Sequence, residues 1–562
     1  MAEINVSASQ RVHDALTQRG FERDWCSERV IYFGVLDPYA LKVPVSIDVT
    51  DLDFVRPPPI RVKEGYDTAG RRLPHLLDES RSFCYYAAGT VVLDRYNPGG
   101  TVLQCLQQAD DVMRQAVGGK SDADFANEMQ AYWSSSFVIV DLPVGFTGQA
   151  KVRYLNLRGA DTSTATLCTD SSWLIDAHRA NGSPLPRGDD CVVVLTKSAI
   201  TLNPDADWPP TSLSNFNSWL NWLDPALVGV LERSFVRGEG ARRWVAIRAP
   251  NGVFIIDASL PPMLQTEEFL RSRRTGLPAA LRKLAAKTTI GRTIGMPADT
   301  DYIFSRNLGA RQNLAGKRIL LIGAGTIGGF LAHQLAQSGA GESGGRLMIV
   351  DTDELRTANL GRHLLGLPYI NVNKAEGCCA FIKQQLPMLD VDARPEDALK
   401  VVSGAYLPYD LIIDVTGEEA LSLAVNERAV CADSGWPPVL FGYLLGNGAL
   451  AQALLVDDRE REHACLKCLK PALSGVSRYP SLRQGVEVIR GRNMECADPN
   501  YIPYPVTRSV MAASLVCEMA LAWAAGSIGQ RFRSHLFDAS QAYHVKDGNP
   551  GPTRECPACS RI

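Results

Sequence analysis

A glycine-rich turn constrains the fold of this chain more than any other feature. The apolar run 318–322 leads into G-x-G-x-x-G, whose glycines are Gly323, Gly325 and Gly328, and a helix pattern follows. The next apolar run ends in Asp351, an acid 23 residues after Gly328. Amides of such a turn bind phosphate oxygens, and the acid binds ribose. The pattern predicts a Rossmann-like nucleotide-binding sheet; the alternative is a tight turn with a purely structural role.

Length and composition limit the class of protein. The chain has 562 residues, which predicts three or four domains at about 150 residues each. Apolar residues make up 46% and charged residues 21%, values typical of globular proteins, so a disordered or fibrous chain is excluded. Because 58 basic residues oppose 61 acidic ones, for a net charge of −3, we expect no nucleic-acid partner.

The N-terminal sequence and the cysteine content bear on compartment. The first 25 residues lack the apolar core of a signal peptide, so we expect a cytoplasmic protein with reduced thiols. The 14 cysteines are too sparse for a disulfide scaffold. The apolar stretch 511–529 contains Glu518 and many small residues, and we interpret it as a buried helix rather than a membrane span.

Three regions differ in texture. Residues 1–145 mix helix and strand patterns in the manner of an α+β domain. Residues 146–304 contain short β-branched runs separated by Gly, Pro and Asn, which predicts a small strand-rich linker domain. Residues 305–562 alternate strand and helix patterns, as a parallel sheet with crossover helices does. We predict an α/β multidomain chain.

The segment after Asp351 indicates which nucleotide binds. It contains Asp353, Asn359 and Arg362, and Lys374 follows, so that it resembles the D-x-D…N-L-x-R-Q stretch of the ubiquitin-activating (ThiF) family. The resemblance implies ATP and the adenylation of a carboxylate, in which cations meet the charge of departing pyrophosphate. A solvated charged turn is the alternative.

One motif of that family is altered. The strand ending in Asp414 matches the D-x-T-D-N stretch, but Gly417 and Glu418 replace its last Asp and Asn. In the family that Asp helps to hold magnesium, so the resemblance leaves Asp414 or Glu418 as the candidate magnesium ligand.

Four cysteines form a C-x-x-C…C-x-x-C pattern, and the two pairs lie 87 residues apart. Four thiolates suit tetrahedral zinc, and the resemblance implies a structural zinc that joins the C-terminal tail to the domain; four unrelated thiols are the alternative. The candidate zinc ligands are Cys465, Cys468, Cys556 and Cys559.

Two further cysteines are candidate nucleophiles. Cys496 lies in a loop at the position where ubiquitin-activating enzymes resemble one another in carrying a thioester cysteine, and a loop thiol near a helix N-terminus can have a lowered pKa. The stretch 73–86 looks like the segment around the active cysteine of ubiquitin-conjugating enzymes, with Cys84 as nucleophile. His75 is near, but the family's oxyanion-stabilising Asn is missing. We interpret the other cysteines as packing residues: Cys26, Cys105, Cys168, Cys191, Cys378, Cys379, Cys431 and Cys517.

A conjugating-type domain ahead of an activating-type domain resembles the fused enzymes of bacterial CBASS antiphage defence operons. The resemblance implies a homodimer that joins the C-terminus of a cGAS-like nucleotidyltransferase to an amine of a target protein. The acyl group would pass from adenylate to Cys496 and then to Cys84. The alternatives are a sulfur-carrier adenylyltransferase, a nucleotide-binding scaffold without turnover and, least favoured, an NAD-dependent oxidoreductase.

Overall fold

In the computed structural model, the chain separates into two units, Met1–Asp299 and Thr300–Ile562. The described residues are 7–66, 71–77, 81–87, 89–157, 162–237, 241–267, 276–309, 311–404, 407–431, 436–457, 462–471, 477–491 and 501–559.

The first unit begins with an antiparallel sheet covered by two helices. The helix Ala8–Gln18 starts at Ser7, whose hydroxyl accepts the Gln10 N–H, and it packs with the helix Pro98–Val117. Their apolar faces enclose a core against the inner side of the sheet, with Leu16, Ile47 and Leu106 almost fully buried. The strands, in spatial order, are β1 Glu22–Arg23, β2 Ile31–Leu36, β3 Val43–Asp48, β4 Ile60–Val62 and β5 Ser82–Phe83.

A closed barrel follows in the same unit. Its spatial order is β10-β11-β12-β6-β8-β7-β9, and most neighbours are antiparallel. The strands are β6 Phe137–Asp141, β7 Gly148–Leu155, β8 Thr164–Cys168, β9 Asp189–Leu195, β10 Arg242–Ala249, β11 Gly252–Ser259 and β12 Ile290–Pro297. The helices before and between them are Asp124–Asn127, Met129–Trp133, Trp173–Ala180, Leu213–Leu223, Pro225–Arg237 and Gly276–Leu284.

An aromatic cluster fixes the segment before the barrel. Trp133 is fully buried, and its indole N–H donates to the carbonyls of Ile255 and Thr293 at 3.3 and 3.1 Å. Trp219 and Phe254 pack on the Trp133 ring. Residues 122–132 carry one helical pattern in the sequence, but Glu128 leaves helical dihedrals and separates two short helices.

The second unit is a doubly wound sheet. Its spatial order is β15-β14-β13-β16-β17-β18-β19, parallel through β17 and antiparallel at the last two pairings. The strands are β13 Arg318–Ile322, β14 Arg346–Val350, β15 Val391–Arg394, β16 Leu411–Asp414, β17 Val439–Leu445, β18 Leu450–Val456 and β19 Phe532–Leu536. The longer helices are Thr300–Ser305, Thr326–Gln337, Lys374–Gln385, Glu419–Cys431 and Val506–Ala524. The Rossmann-like topology predicted for this region is confirmed.

Chain order reverses between β13 and β16, and ligands of such sheets bind at the carboxyl ends of the strands beside this reversal. One described helix, Val506–Ala524, is long and apolar enough to cross a membrane. It packs against the helix Thr326–Gln337 and the strands β17 and β18, and Ala513, Val516 and Met519 are buried there. The helix therefore belongs to the core of this unit.

Candidate functional site

The glycine turn after β13 has no room for side chains at two of its three glycines. Gly323 adopts φ +91°, and a Cβ there would lie 2.9 Å from the Thr416 side chain. A Cβ on Gly328 would lie 1.8 Å from the Gly323 carbonyl oxygen, so only glycine lets the helix start this close to the turn. Gly325 faces open space and caps the helix Thr326–Gln337. The turn therefore presents bare backbone at a helix N-terminus, as phosphate binding requires.

Asp351, which directly follows strand β14, hydrogen-bonds the glycine turn. One carboxylate oxygen accepts the Ala324 N–H at 2.7 Å, and the other accepts the Asp353 N–H at 2.8 Å. Burial raises the pKa of this carboxyl, although both backbone hydrogen bonds oppose the shift. Each oxygen keeps a lone pair, so Asp351 can still accept a ribose hydroxyl.

Two cations lie in the same cleft. Lys374 begins a helix, and its ammonium donates to Asp353 at 2.8 Å with only 12% of the side chain exposed. Arg362 donates to the Ile502 carbonyl at 3.3 Å, and its guanidinium lies 5.7 and 5.6 Å from the ring centres of Tyr501 and Tyr504. The Nε of Arg362 has no hydrogen-bond partner among the described residues.

These groups surround one cleft of about 630 Å³. Of the nine residues predicted to bind the nucleotide, seven line it: Gly323, Gly325, Asp351, Asp353, Asn359, Arg362 and Lys374. Gly328 lies under the turn, where its role is close packing.

Asp414 is placed differently from the other candidates. It is only 2% exposed and is not among the residues that line the cleft. One carboxylate oxygen accepts the N–H and hydroxyl of Thr416 at 3.0 and 2.8 Å, and burial raises the pKa of the carboxyl. Glu418 lines the cleft instead, after Gly417 at φ +72°.

Cys84 lies at the end of β5 in the first unit and is exposed. Its N–H donates to the His75 carbonyl at 2.8 Å, and its thiol contacts the Tyr86 carbonyl at 3.5 Å. Partial burial, followed by the negative charge of Glu128, raises the pKa of the thiol. Cys84 is thus accessible but is held as a thiol rather than a thiolate.

Both ring nitrogens of His75 are occupied by carboxylates. Nδ1 lies 2.7 Å from Glu128, and Nε2 lies 3.1 Å from Asp124. The Glu128 hydrogen bond is the largest cause that raises the pKa of His75, and the His75 contact lowers the pKa of Glu128 despite its burial. His75 is therefore a bound imidazolium, and neither nitrogen is free to act as a base.

The four cysteines of the C-x-x-C pairs meet in one cluster, in which all but the half-buried Cys559 are buried. All four sulfur atoms lie within 4.8 Å of one another, and the shortest separations are 3.4 Å, between Cys559 and Cys465, and 3.5 Å, between Cys468 and Cys559. Sulfur atoms around tetrahedral zinc at 2.3 Å are about 3.8 Å apart. The donor set and the spacing fit zinc.

Comparison with known proteins covers both units. Residues 302–541 match the ThiF family, and residues 29–137 match Prokaryotic E2 family B. A curated relative from Pseudomonas aeruginosa, "ATP-dependent ubiquitin transferase-like protein Cap2", is 30% identical over 99% of this chain and 99% of its own length.

The chain belongs to the Cap2 family.

The expected resemblance to the fused conjugating and activating enzymes of CBASS is thereby confirmed, and the chain is an enzyme of the transferase and ligase type. An Escherichia coli Cap2 protein is 23% identical over 87% of this chain and 86% of its own length. A "UBA4" adenylyltransferase and sulfurtransferase from Yarrowia lipolytica is 30% identical, but over only 26% of this chain and 35% of its own length. ATP use follows from the ThiF match.

Several residues of this Cap2-family chain were missed from sequence. His363 occupies the last position of the N-L-x-R-Q stretch; its Nε2 donates to the Ala324 carbonyl at 2.7 Å, and its Nδ1 accepts the Leu365 N–H at 3.0 Å. Its place in the motif was a usable signal. Asp124 and Glu128 gave none, because they belong to no motif.

The remaining cysteines of the Cap2-family chain fall into three groups. Cys496 lies outside the described residues. Six of the eight expected packing cysteines are buried: Cys105, Cys168, Cys191, Cys378, Cys379 and Cys517. The expectation was wrong for Cys26 and Cys431, which are exposed because one follows the sheet edge at β1 and the other ends a helix.

Proposed function

We propose that the chain uses ATP to activate the C-terminal carboxylate of a protein. The observation that supports this most directly is the single cleft lined by the glycine turn, Asp351, Arg362 and Lys374. A carboxylate oxygen attacks the α-phosphorus of ATP, the bond to the bridging oxygen breaks, and acyl-adenylate and pyrophosphate form. Arg362 and Lys374 offset the charge that develops on the leaving group.

Magnesium suits the oxygen ligands of this cleft, and it would neutralise phosphate charge when bound. We propose Glu418 rather than Asp414 as its protein ligand. Glu418 lines the cleft, whereas Asp414 is buried and accepts two hydrogen bonds within its own turn. Glu418→Gln should raise the magnesium concentration needed for pyrophosphate exchange.

Two thiols are proposed to carry the acyl group. The Cys496 sulfur attacks the acyl carbon of the adenylate and AMP leaves. The Cys84 sulfur then attacks that thioester and the Cys496 thiol is released. Finally, a target amine attacks the Cys84 thioester, an amide forms, and Cys84 returns to the thiol. Each step exchanges one leaving group, as covalent catalysis does.

The substrate is proposed to be the C-terminal tail of the cGAS-like nucleotidyltransferase of the same operon, and the pathway to be CBASS antiphage defence. Membership of the Cap2 family supports this assignment. We further propose a homodimer in the cytoplasm, where working thiols stay reduced.

Pyrophosphate exchange and conjugate formation test the scheme together. Arg362→Ala should abolish ATP–pyrophosphate exchange, because it removes a cation from the leaving group. Cys84→Ala and Cys496→Ala should leave exchange unchanged and abolish the conjugate that survives a reducing agent. Intact conjugation in both cysteine variants would overturn the thiol relay. Recovery of conjugation on mixing the two variants would place the transfer between subunits.

The cysteine cluster is proposed to bind zinc and to join the tail Cys556–Cys559 to the residues around Cys465. Elemental analysis should find one zinc per chain, and Cys468→Ser should lose it and lower Tm. Cys431→Ser, at an exposed cysteine, is the matched control and should retain both zinc and Tm. Zinc-free wild type with unchanged Tm would refute the assignment.

A sulfur-carrier adenylyltransferase is the second candidate, favoured by the similarity to the Yarrowia protein. It shares the adenylation step but ends in a thiocarboxylate. Mass spectrometry of the reacted carboxylate distinguishes the two, since a gain of sulfur supports this candidate and an amide link supports conjugation.

A further inference from the structure

The side chain of Glu128 makes three hydrogen bonds close to Cys84, although no motif in the sequence includes this residue. Its Oε1 accepts from His75 Nδ1 at 2.7 Å, and its Oε2 accepts the His75 backbone N–H and the Tyr132 hydroxyl, both at 3.2 Å. Only 26% of the Glu128 side chain is exposed. The carboxylate therefore binds both the ring and the backbone of one residue.

The backbone of His75 connects Glu128 to Cys84. It adopts φ +65°, a left-handed conformation that costs energy for a residue with a side chain. Its carbonyl accepts the Cys84 N–H at 2.8 Å. The carboxylate contacts of Glu128 and Asp124 offset the strain, so the backbone beside the nucleophile depends on them.

The carboxylates themselves are held by the barrel. Glu128 separates the helices Asp124–Asn127 and Met129–Trp133, and Phe125 and Trp133 are fully buried on either side of it. Trp133 donates to two barrel carbonyls. The backbone beside Cys84 is thus fixed by a segment at the C-terminal end of the region that matches Prokaryotic E2 family B, where that region packs on the barrel.

We propose that Glu128 is a positioning residue of the thiol site, which together with Asp124 holds His75 as a cation and thereby fixes the backbone that carries Cys84. The proposal rests on the proposed role of Cys84 as an acyl carrier. The titratable groups that face His75 are Glu128 and Asp124, which contact its ring, and Tyr132, which donates to Glu128. Arg72 adds a positive charge near Tyr132. Glu128 also contributes to the raised pKa of Cys84.

Glu128→Gln separates positioning from simple packing because it keeps the size of the side chain and removes its charge. The pKa of Cys84 and that of His75 should both fall. Alkylation of Cys84 by iodoacetamide, followed peptide by peptide in the full chain from pH 6 to 10, should be about threefold faster near pH 7.5. Transfer of the acyl group from Cys84 to an amine should nevertheless slow by about tenfold, because the loop is no longer fixed.

A loss of packing alone would slow transfer without lowering the pH midpoint of Cys84 alkylation, and that result would overturn the proposal. Exposed Glu22→Gln is the matched control and should behave as wild type. Should Glu128→Gln unfold the unit, Asp124→Asn provides the second variant, with the same directions and smaller changes expected. Cys84→Ala tests the acyl role separately: intact conjugation there refutes the proposed function, while the alkylation profile still tests the positioning.

Discussion

The nucleotide cleft and the Cys84 site are assembled in different ways. The candidate residues that line the cleft come from residues 323–374 and follow strands whose carboxyl ends meet at one edge of a sheet. The Cys84 site joins His75 to Asp124 and Glu128, which lie beyond a 20-residue helix and are fixed on the barrel. A phosphate-binding turn of backbone amides can therefore be predicted from the spacing of a few residues along the chain. The charge around the Cys84 thiol cannot, because it depends on side chains that are distant in sequence.

The largest effect is expected at the glycine turn, where backbone geometry dominates. Gly328→Ala places a Cβ against the Gly323 carbonyl and should lower the free energy of unfolding by more than about 3 kcal/mol and abolish pyrophosphate exchange. Gly325→Ala is the matched control, because its Cβ meets nothing within 4 Å, and its stability should change by less than about 0.5 kcal/mol. Equal urea midpoints for the two variants would show that the close approach of the backbone at Gly328 does not determine the stability of the nucleotide turn.

The next effect tests whether the cleft also depends on distant side chains. Tyr504 contacts the Arg362 guanidinium, and its hydroxyl hydrogen-bonds the Thr326 hydroxyl at 2.9 Å. Tyr504→Ala should raise the KM for ATP in pyrophosphate exchange about tenfold, and Tyr504→Phe about threefold, because the latter keeps the ring.

Tyr543→Ala provides the control for Tyr504. It removes a similar ring, 4.4 Å from Arg483, and neither residue lines the cleft. An unchanged KM for ATP in Tyr504→Ala would mean that the motif residues alone are sufficient for ATP binding in the cleft.

A smaller, pH-dependent effect is expected from His363. Burial lowers the pKa of its imidazole below 6.5, and the neutral ring both donates to Ala324 and accepts from Leu365. Because the unfolded chain binds the proton first, this stabilisation is complete above pH 6.5 and is lost as pH falls through the folded pKa. The slope is at most about 1.4 kcal/mol per pH unit.

Urea midpoints at pH 7.5 and 5.5 measure this slope. His363→Gln should reduce it, because an amide donates and accepts without titrating. A slope as steep in the variant as in wild type would assign the pH dependence to other groups.

The smallest effect is expected at the thiol site. Tyr132→Phe removes one hydrogen bond to Glu128 and leaves the His75 contacts in place. Transfer from Cys84 should slow about twofold to threefold, and stability should fall by about 1 kcal/mol. Exposed Tyr96→Phe is the control, and a similar loss of transfer there would remove Glu128 from the explanation.

Periodicity predicted many elements to within a few residues. The helix pattern over 7–18 predicts the helix Ala8–Gln18, and the strand-like runs 30–36, 43–47, 244–247 and 253–256 predict β2, β3, β10 and β11. The expected linker region forms most of a closed barrel, which also takes in β6 from outside it. Four described helices of that region were missed: Trp173–Ala180, Leu213–Leu223, Pro225–Arg237 and Gly276–Leu284. Closure depends on pairing between strands far apart in sequence, such as β9 with β10, which no local pattern reveals.

The sequence by itself determined the nucleotide turn, its cations and the two C-x-x-C pairs, because each depends on residue type at short spacing. Only the tertiary structure decided that Asp414 is buried while Glu418 lines the cleft, and that His75 is bound by two carboxylates. The physical reason is that the burial and the charge environment of a side chain depend on all the groups that surround it in space. The packing of the whole unit, and not adjacency along the chain, determines which groups those are.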